Sequence, residues 1–323
     1  MKITLISAFF DIGRANFTNT EYTRTNEKYF EYFKFWARMK NDLVVYTDSN
    51  SSKYVRDIRN SFGLKDKTTI IEINNIYSIL PNIYEKMCNV SQSEEFKMFR
   101  YYENAMSNRA SYDYVMLLKY WCMNDSVERG LADDMLAWMD FGFNHGGKCY
   151  TNAEDFNFEW NYNFNRKIQL FSLKPVDNIS PIMTLQYLSD SIMGSPVIVP
   201  KEKCKDLWNQ LLSAMEALLK LFRSQQLLLM TYKYNPELFE LHISDWFMPL
   251  KEYGGEHLTI KEKEHVVERK YSIYKKIFNK LKARFTKSSN KIFSERIYKI
   301  SQDRKSTRQN SSHWKQGRMP SSA

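Results

Sequence analysis

Along the first half of the chain, short apolar runs alternate with stretches whose apolar residues recur every three or four positions. Ile3 to Ala8 reads as a β-strand, followed at once by the turn Phe9-Phe10-Asp11-Ile12-Gly13-Arg14. From Asn26 to Met39 the residues Tyr29, Phe33, Trp36 and Ala37 keep to one face of a helix. Leu43 to Tyr46 predicts a second strand closed by Thr47-Asp48-Ser49, Tyr54 to Phe62 a helix, Thr68 to Ile73 a third strand, and Pro81 to Met106 a long helical region. This strand-helix alternation favours a mainly parallel central sheet flanked by helices, an α/β fold.

Between Ser111 and Val127, Tyr114, Val115, Leu117, Leu118, Trp121 and Cys122 place apolar groups on more than one side, which predicts a largely buried helix. Leu136-Ala137-Trp138-Met139-Asp140 then reads as a strand ending in a carboxylate. Ligands of open α/β sheets collect beyond the carboxyl ends of the strands, so Asp140 is the expected centre of a site, with a strand-end cap as its structural alternative. The second half is less regular. It holds an aromatic, Asn-rich stretch from Phe156 to Phe164, a strand-like Gln169 to Leu173, the run Ile192-Met193-Gly194-Ser195-Pro196, and a helix from Lys201 to Leu221. No internal repeat is present, and no linker precedes about residue 255.

With 323 residues and 43% hydrophobic content, the chain can bury a substantial core. Four cysteines without CxxC spacing argue against a zinc ribbon or a disulfide framework. The opening apolar run is too short for a signal peptide, and no stretch reaches the roughly 20 apolar residues of a membrane span, so a cytoplasmic location is expected.

Charge divides the chain in three. Residues 303–323 read as a translated sequencing adapter and are set aside; they carry +4 of the net +10. Residues 256–302 form a basic C-terminal segment: 13 basic and 4 acidic side chains lie between 261 and 302, while residues 1–260 hold 29 basic and 32 acidic. In that segment Tyr271, Tyr274, Ile277, Phe278, Leu281 and Phe285 recur at helical spacing among lysines, which predicts a basic amphipathic helix. Such a helix either makes peripheral contact with the anionic inner membrane or packs on the body with a solvated lysine face. Because the excess charge is confined to this segment, a nucleic-acid partner is not expected. The domain plan is therefore a body over 1–255, the basic segment over 256–302, and the adapter-like tail.

Three blocks then carry a resemblance: Ser7-Ala8-Phe9-Phe10-Asp11-Ile12-Gly13-Arg14 with Lys28-Tyr29-Phe30, Ser111 to Tyr120 with Lys119, and Trp138-Met139-Asp140-Phe141-Gly142. With the Gln225-Gln226 to Phe239 region they resemble the HtrL/YibB family of bacterial proteins, described as WlaTC/HtrL glycosyltransferases. The resemblance implies a GT-A-like nucleotide-diphospho-sugar transferase fold, a nucleotide-sugar donor, and a lipid-linked, lipopolysaccharide, O-antigen or capsule glycan as acceptor. It further implies a divalent metal, Mn²⁺ or Mg²⁺, at Asp140, because a departing diphosphate needs its charge neutralised. Supplementary metal ligands would be His242, His145 or Asp245. Donor contacts fall on Arg14, Asp48, Asn108, Arg109 and Lys119, and the acceptor side on Gln225 and Gln226. Helix-surface pairing, a surface ion pair for Arg14 and a turn role for Asp48 are the structural alternatives.

Two positions depart from the pattern. Trp138 stands where the first carboxylate of a DxD motif would be, and Ser224 stands where an acidic residue is expected. A catalytically silent nucleotide- or carbohydrate-binding protein on the same fold is the alternative those departures motivate. No GxGxxG, P-loop, HExxH or GxSxG motif anchors a dehydrogenase, NTPase, zincin or hydrolase reading.

Overall fold

A computed structural model describes residues 1–16, 23–99, 109–180, 191–221 and 227–261. Among them lies a seven-stranded sheet, built of β1 (Ile3–Phe9), β2 (Leu43–Thr47), β3 (Thr68–Glu72), β4 (Met135–Trp138), β5 (Ile168–Ser172), β6 (Val197–Pro200) and β7 (Phe239–Ile243). The strand order is β3-β2-β1-β4-β6-β5-β7. β1 pairs in parallel with both β2 and β4, β2 with β3, and β5 with β7, whereas β6 runs antiparallel to β4 and β5. The mainly parallel α/β sheet expected from the sequence is present.

Parallel strands covered on both faces must be apolar on both. The central strands obey this by alternation: Leu5, Val45 and Ala137 face one hydrophobic cluster, and Ile6, Val44 and Leu136 face the other. On the first face lie α1 (Asn26–Trp36), which contributes Phe33 and Trp36, and α2 (Ser49–Ser61), which contributes Val55. On the second lie α3 (Pro81–Gln92), α5 (Ala110–Glu128), α6 (Cys204–Leu221) and α7 (Leu227–Tyr234). The short helices α4 (Glu94–Phe99) and α8 (Pro249–Glu252) complete the described set. The Asn-rich aromatic stretch forms no strand; it sends Phe156, Trp160 and Phe164 into the first cluster.

Several boundaries differ from the sequence expectation for identifiable reasons. α2 begins at Ser49 rather than near Tyr54, because the Asp48 carboxylate accepts a bond from the Ser51 backbone N–H and caps the helix. The long helical region from Pro81 breaks at Ser93, whose extended backbone separates α3 from α4. β4 stops at Trp138, so Asp140 lies beyond the strand; its backbone N–H donates to Ser195 Oγ at 3.0 Å instead of to a neighbouring strand. The body also continues past residue 255: Leu258 is buried, and the Lys261 N–H donates to the Cys149 carbonyl at 2.7 Å. Asn108, Gln225, Gln226, Ser224 and residues 262–302 of the basic C-terminal segment lie outside the described residues.

The amino edge of the sheet is tied together by two buried side chains. Arg59 is fully buried on α2 and uses all five of its N–H bonds: Nη1 to the carbonyls of Ala37 and Met39, Nη2 to those of Asn41 and Lys67, and Nε to Thr68 Oγ1. Burial lowers its pKa to about 10, so it stays charged at neutral pH. Asn41 donates to the carbonyls of Ile3 and Trp160 and accepts from the Trp160 N–H. Removing the guanidinium orphans four carbonyls at once. Arg59→Met is therefore expected to lower unfolding free energy by at least about 3 kcal/mol, read as a fall in the urea midpoint at unchanged m-value; a midpoint within experimental error of the parent would contradict this role.

Candidate functional site

The chain leaves β1 and β4 at the same edge of the sheet, and the loops that follow them enclose a pocket of about 400 Å³. Phe9, Phe10, Asp11, Ile12 and Arg14 line it from the β1 side, Trp138, Asp140, Phe141, Gly142, Phe143 and His145 from the β4 side. Tyr29 of α1 contributes a wall, as do Tyr112, Met116 and Lys119 of α5. Trp246 and Phe247, just after β7, complete the rim together with Arg24 and Asn26.

Asp140 is the polar centre of the pocket. Its Oδ1 accepts from Lys119 Nζ at 2.6 Å and from the Trp138 indole N–H at 2.7 Å, whereas Oδ2 makes no hydrogen bond among the described residues. The Asp140 side chain is 43% exposed and that of Lys119 only 8%. Lys119 also reaches the Gly194 carbonyl at 3.5 Å and lies 5.7 Å from the Trp138 ring centroid. An ammonium this deep in α5 requires a counter-charge, and Asp140 supplies it; α5 and the β4 loop are thereby joined at the pocket floor.

Two further features set the walls. Arg14 follows β1 in a 3-10 turn (Arg14–Asn16), donates from Nη1 to the Tyr29 hydroxyl, and lies 5.7 Å from the Tyr112 ring centroid. Beyond Asp140, Asn144, His145, Gly146 and Gly147 all adopt positive φ. Fully buried Asn144 holds this left-handed turn by donating to the Tyr150 carbonyl and accepting from the Cys149 and Tyr150 N–H groups. The turn presents His145 between the rings of Tyr32 and Phe247. Burial, then the fields of Arg24, Lys148 and Arg14, push its pKa down to about 4, so the imidazole is neutral at physiological pH.

The structure thus brings Arg14, Lys119, Asp140 and His145 to one pocket, and leaves Asp48, Arg109, His242 and Asp245 outside its lining. Asp48 is the α2 cap, and Arg109 is exposed at the start of α5; neither lines the pocket. His242 sits on β7, where its Nε2 shares a 2.8 Å hydrogen bond with Gln169 Oε1 and its ring packs on Phe171 and Tyr253. It does not line the pocket either. Arg24, Tyr112, Trp246 and Phe247 line it without having been singled out; the aromatic pair follows an edge strand that the apolar pattern did not mark.

The described residues do not fit a protein-held divalent cation. No three His, Cys, Asp or Glu side chains among them are grouped for it. The Asp140 oxygen Oδ1 is already bonded to an ammonium and an indole donor, which leaves Oδ2 as a single remaining oxygen at this carboxylate. The other pocket carboxylate, Asp11, spends Oδ1 on the Gly13 N–H and Oδ2 on Asn26 Nδ2.

Comparison with known proteins adds the following. The profile of the family described as "Bacterial protein of unknown function (HtrL_YibB)" matches residues 1–253. Protein HtrL of Escherichia coli (strain K12) is 25% identical over 264 residues, covering 76% of this chain and 90% of its own. Among solved structures, apo mouse xyloside xylosyltransferase 1 is 13% identical with a TM-score of 0.40, covering 82% of this chain and 96% of its own. PaToxG glycosyltransferase is 8% identical with a TM-score of 0.32, covering 72% and 68% respectively. Superpositions this loose carry no weight for what this chain does.

The neutral His145 gives a pH signature. Its folded pKa lies below the ordinary value of 6.5, so between these values the unfolded chain binds the extra proton and stability falls as pH drops from about 6.5 towards 4. The slope from this group is at most about 1.4 kcal/mol per pH unit. Denaturant titrations at pH 7 and pH 5 should show a smaller stability loss in His145→Gln than in the parent, and an NMR titration should place the His145 midpoint near 4; a midpoint at or above 6.5 would contradict the burial assigned to the ring.

Proposed function

From the premise that this chain belongs to the HtrL/YibB family of bacterial proteins, we propose that it is a glycosyltransferase that takes a nucleotide-sugar donor into the pocket at the carboxyl ends of β1 and β4. The observation that carries this reading is the convergence of Arg14, Arg24, Lys119 and Asp140 in one aromatic-walled cavity of about 400 Å³. Cations suit a diphosphate, aromatic rings suit a base or a sugar face, and a half-exposed carboxylate suits sugar hydroxyls. Crevices beyond the carboxyl ends of parallel strands are where α/β sheets bind nucleotides.

In the transfer itself, the bond between the anomeric carbon and the phosphate oxygen breaks, and the electron pair stays on that oxygen. An acceptor hydroxyl oxygen bonds to the anomeric carbon and loses its proton to water. Fixed positive groups near the departing phosphate favour the transition state because charge builds there. As acceptor we place a lipid-linked or lipopolysaccharide glycan. Trp246, 41% exposed at the rim, offers such a glycan an apolar ring face. Among the described residues no helix is long and apolar enough to cross a membrane. Contact of the basic segment with the anionic inner membrane belongs to the same proposal.

A second reading, a nucleotide- or carbohydrate-binding protein without turnover, draws on the engagement of Asp140 by Lys119 and Trp138. A thermal-shift and hydrolysis screen of UDP-, GDP-, CMP- and dTDP-sugars separates the two. One nucleotide class is expected to raise Tm by a few degrees and to be hydrolysed slowly, with turnover lowered at least about 100-fold in Asp140→Asn. Binding without turnover selects the second reading, and silence towards every donor defeats both.

A further inference from the structure

We propose that this protein neutralises the donor's diphosphate with side-chain cations in place of a divalent metal, Arg14, Arg24 and Lys119 forming the phosphate cradle. The inference rests on the donor-pocket reading above and goes beyond it, since metal assistance is what the family resemblance led us to expect.

The donor set around Asp140 is the first ground. A divalent cation of the Mg²⁺ or Mn²⁺ kind is held by oxygen lone pairs at short range. At Asp140 the oxygen Oδ1 instead receives two hydrogen-bond donors, the Lys119 ammonium at 2.6 Å and the Trp138 indole N–H at 2.7 Å. Trp138 occupies the place of the first carboxylate in a DxD pair, so one prospective ligand has been exchanged for a donor that a cation repels. Lys119 meanwhile holds a full positive charge against the remaining carboxylate. Its side chain is 8% exposed and bonded also to the Gly194 carbonyl, so it is held in place by its surroundings.

The balance of charge along the walls is the second ground. Three cationic side chains line the pocket against two carboxylates. Asp11 is engaged through both oxygens, by the Gly13 N–H and Asn26, and Asp140 through Oδ1, by Lys119 and Trp138. Arg14 is oriented by its bond to the Tyr29 hydroxyl, and its guanidinium lies within 6 Å of the Tyr29 and Tyr112 ring centroids. Arg24 lies 6.0 Å from the Tyr32 ring centroid. A guanidinium can rest against an aromatic face and present a planar fork that matches phosphate oxygens. His145 responds to the same field: after burial, the causes that depress its pKa include both Arg24 and Arg14.

In the transfer step this arrangement acts on one atom. As the anomeric C–O bond breaks, its electron pair goes to the phosphate oxygen, and the cradle holds that charge. The acceptor oxygen forms the new bond, and its proton passes to water. No redox partner or metal enters the balance.

The test is isothermal titration of the full chain with inorganic pyrophosphate, UDP and GDP, in EDTA and again with Mn²⁺ or Mg²⁺ in excess. Pyrophosphate and at least one nucleotide are expected to bind in EDTA, and added metal is expected to change Kd by less than about threefold. Arg24→Gln at the rim, and Arg14→Gln with Tm checked against the parent, should each weaken binding about tenfold. The parent alone decides the matter if a variant fails to fold. Binding that appears only with metal overturns the metal-free cradle and leaves the donor pocket standing; absence of binding under both conditions overturns the cradle and removes the support for the donor pocket as well.

Discussion

The ion pair between Lys119 and Asp140 is the constraint on which the candidate site depends. α5 is buried on several sides, and a lysine facing inward from its middle would be prohibitively costly without a partner. Asp140 is available only because β4 has ended two residues earlier and Ser195 has taken over its backbone N–H. The pair therefore anchors the start of the loop after β4, which runs on into the left-handed turn, held by Asn144, that delivers His145. Trp138 adds an indole bond to the same carboxylate oxygen, so the helix, the strand end and the loop meet at one atom.

Around that point the fold is organised by the demand that β1, β2 and β4 be apolar on both faces. Helices α1 and α2 cover one face and α3, α5, α6 and α7 the other, and the loops beyond β1 and β4 line the pocket at the carboxyl edge. Antiparallel β6 extends the sheet by pairing with β4 and carries Ser195 in the turn before it, which supplies the hydroxyl that terminates β4. The extension thus participates in the site although it contributes no wall to it.

What the amino-acid pattern disclosed follows from the strength of each local signal. β1, β2 and β3 are apolar runs bounded by turn residues, and α5 is long, so both could be read directly. β6 has only four residues and ends in Pro200, too little for a period to emerge. β7, Phe-Glu-Leu-His-Ile, alternates, but as a half-exposed edge strand it offered no continuous apolar run. Within the site, Asp140 and Arg14 were legible because residues just beyond parallel strands face the ligand edge. Asp48 obeys the same rule but also precedes Ser49-Asn50-Ser51, and the helix claimed its carboxylate first. Trp246 and Arg24 reach the pocket only through tertiary folding, and His242 is diverted by a single bond to Gln169. That Lys119 meets Asp140 was a question of distance, which a sequence does not contain.

Arg59 and Asn41 lie at the opposite edge of the sheet from the pocket, where they gather the backbone leading into β1, β2 and β3. Stability is stored at that base, in bonds that no substrate touches. The rim can accordingly be rewritten by substitution or by loop exchange while the base keeps the strands in register. Sequence drift among related chains should concentrate at the rim, where it alters what is recognised, and stall at the base, where it would cost the fold.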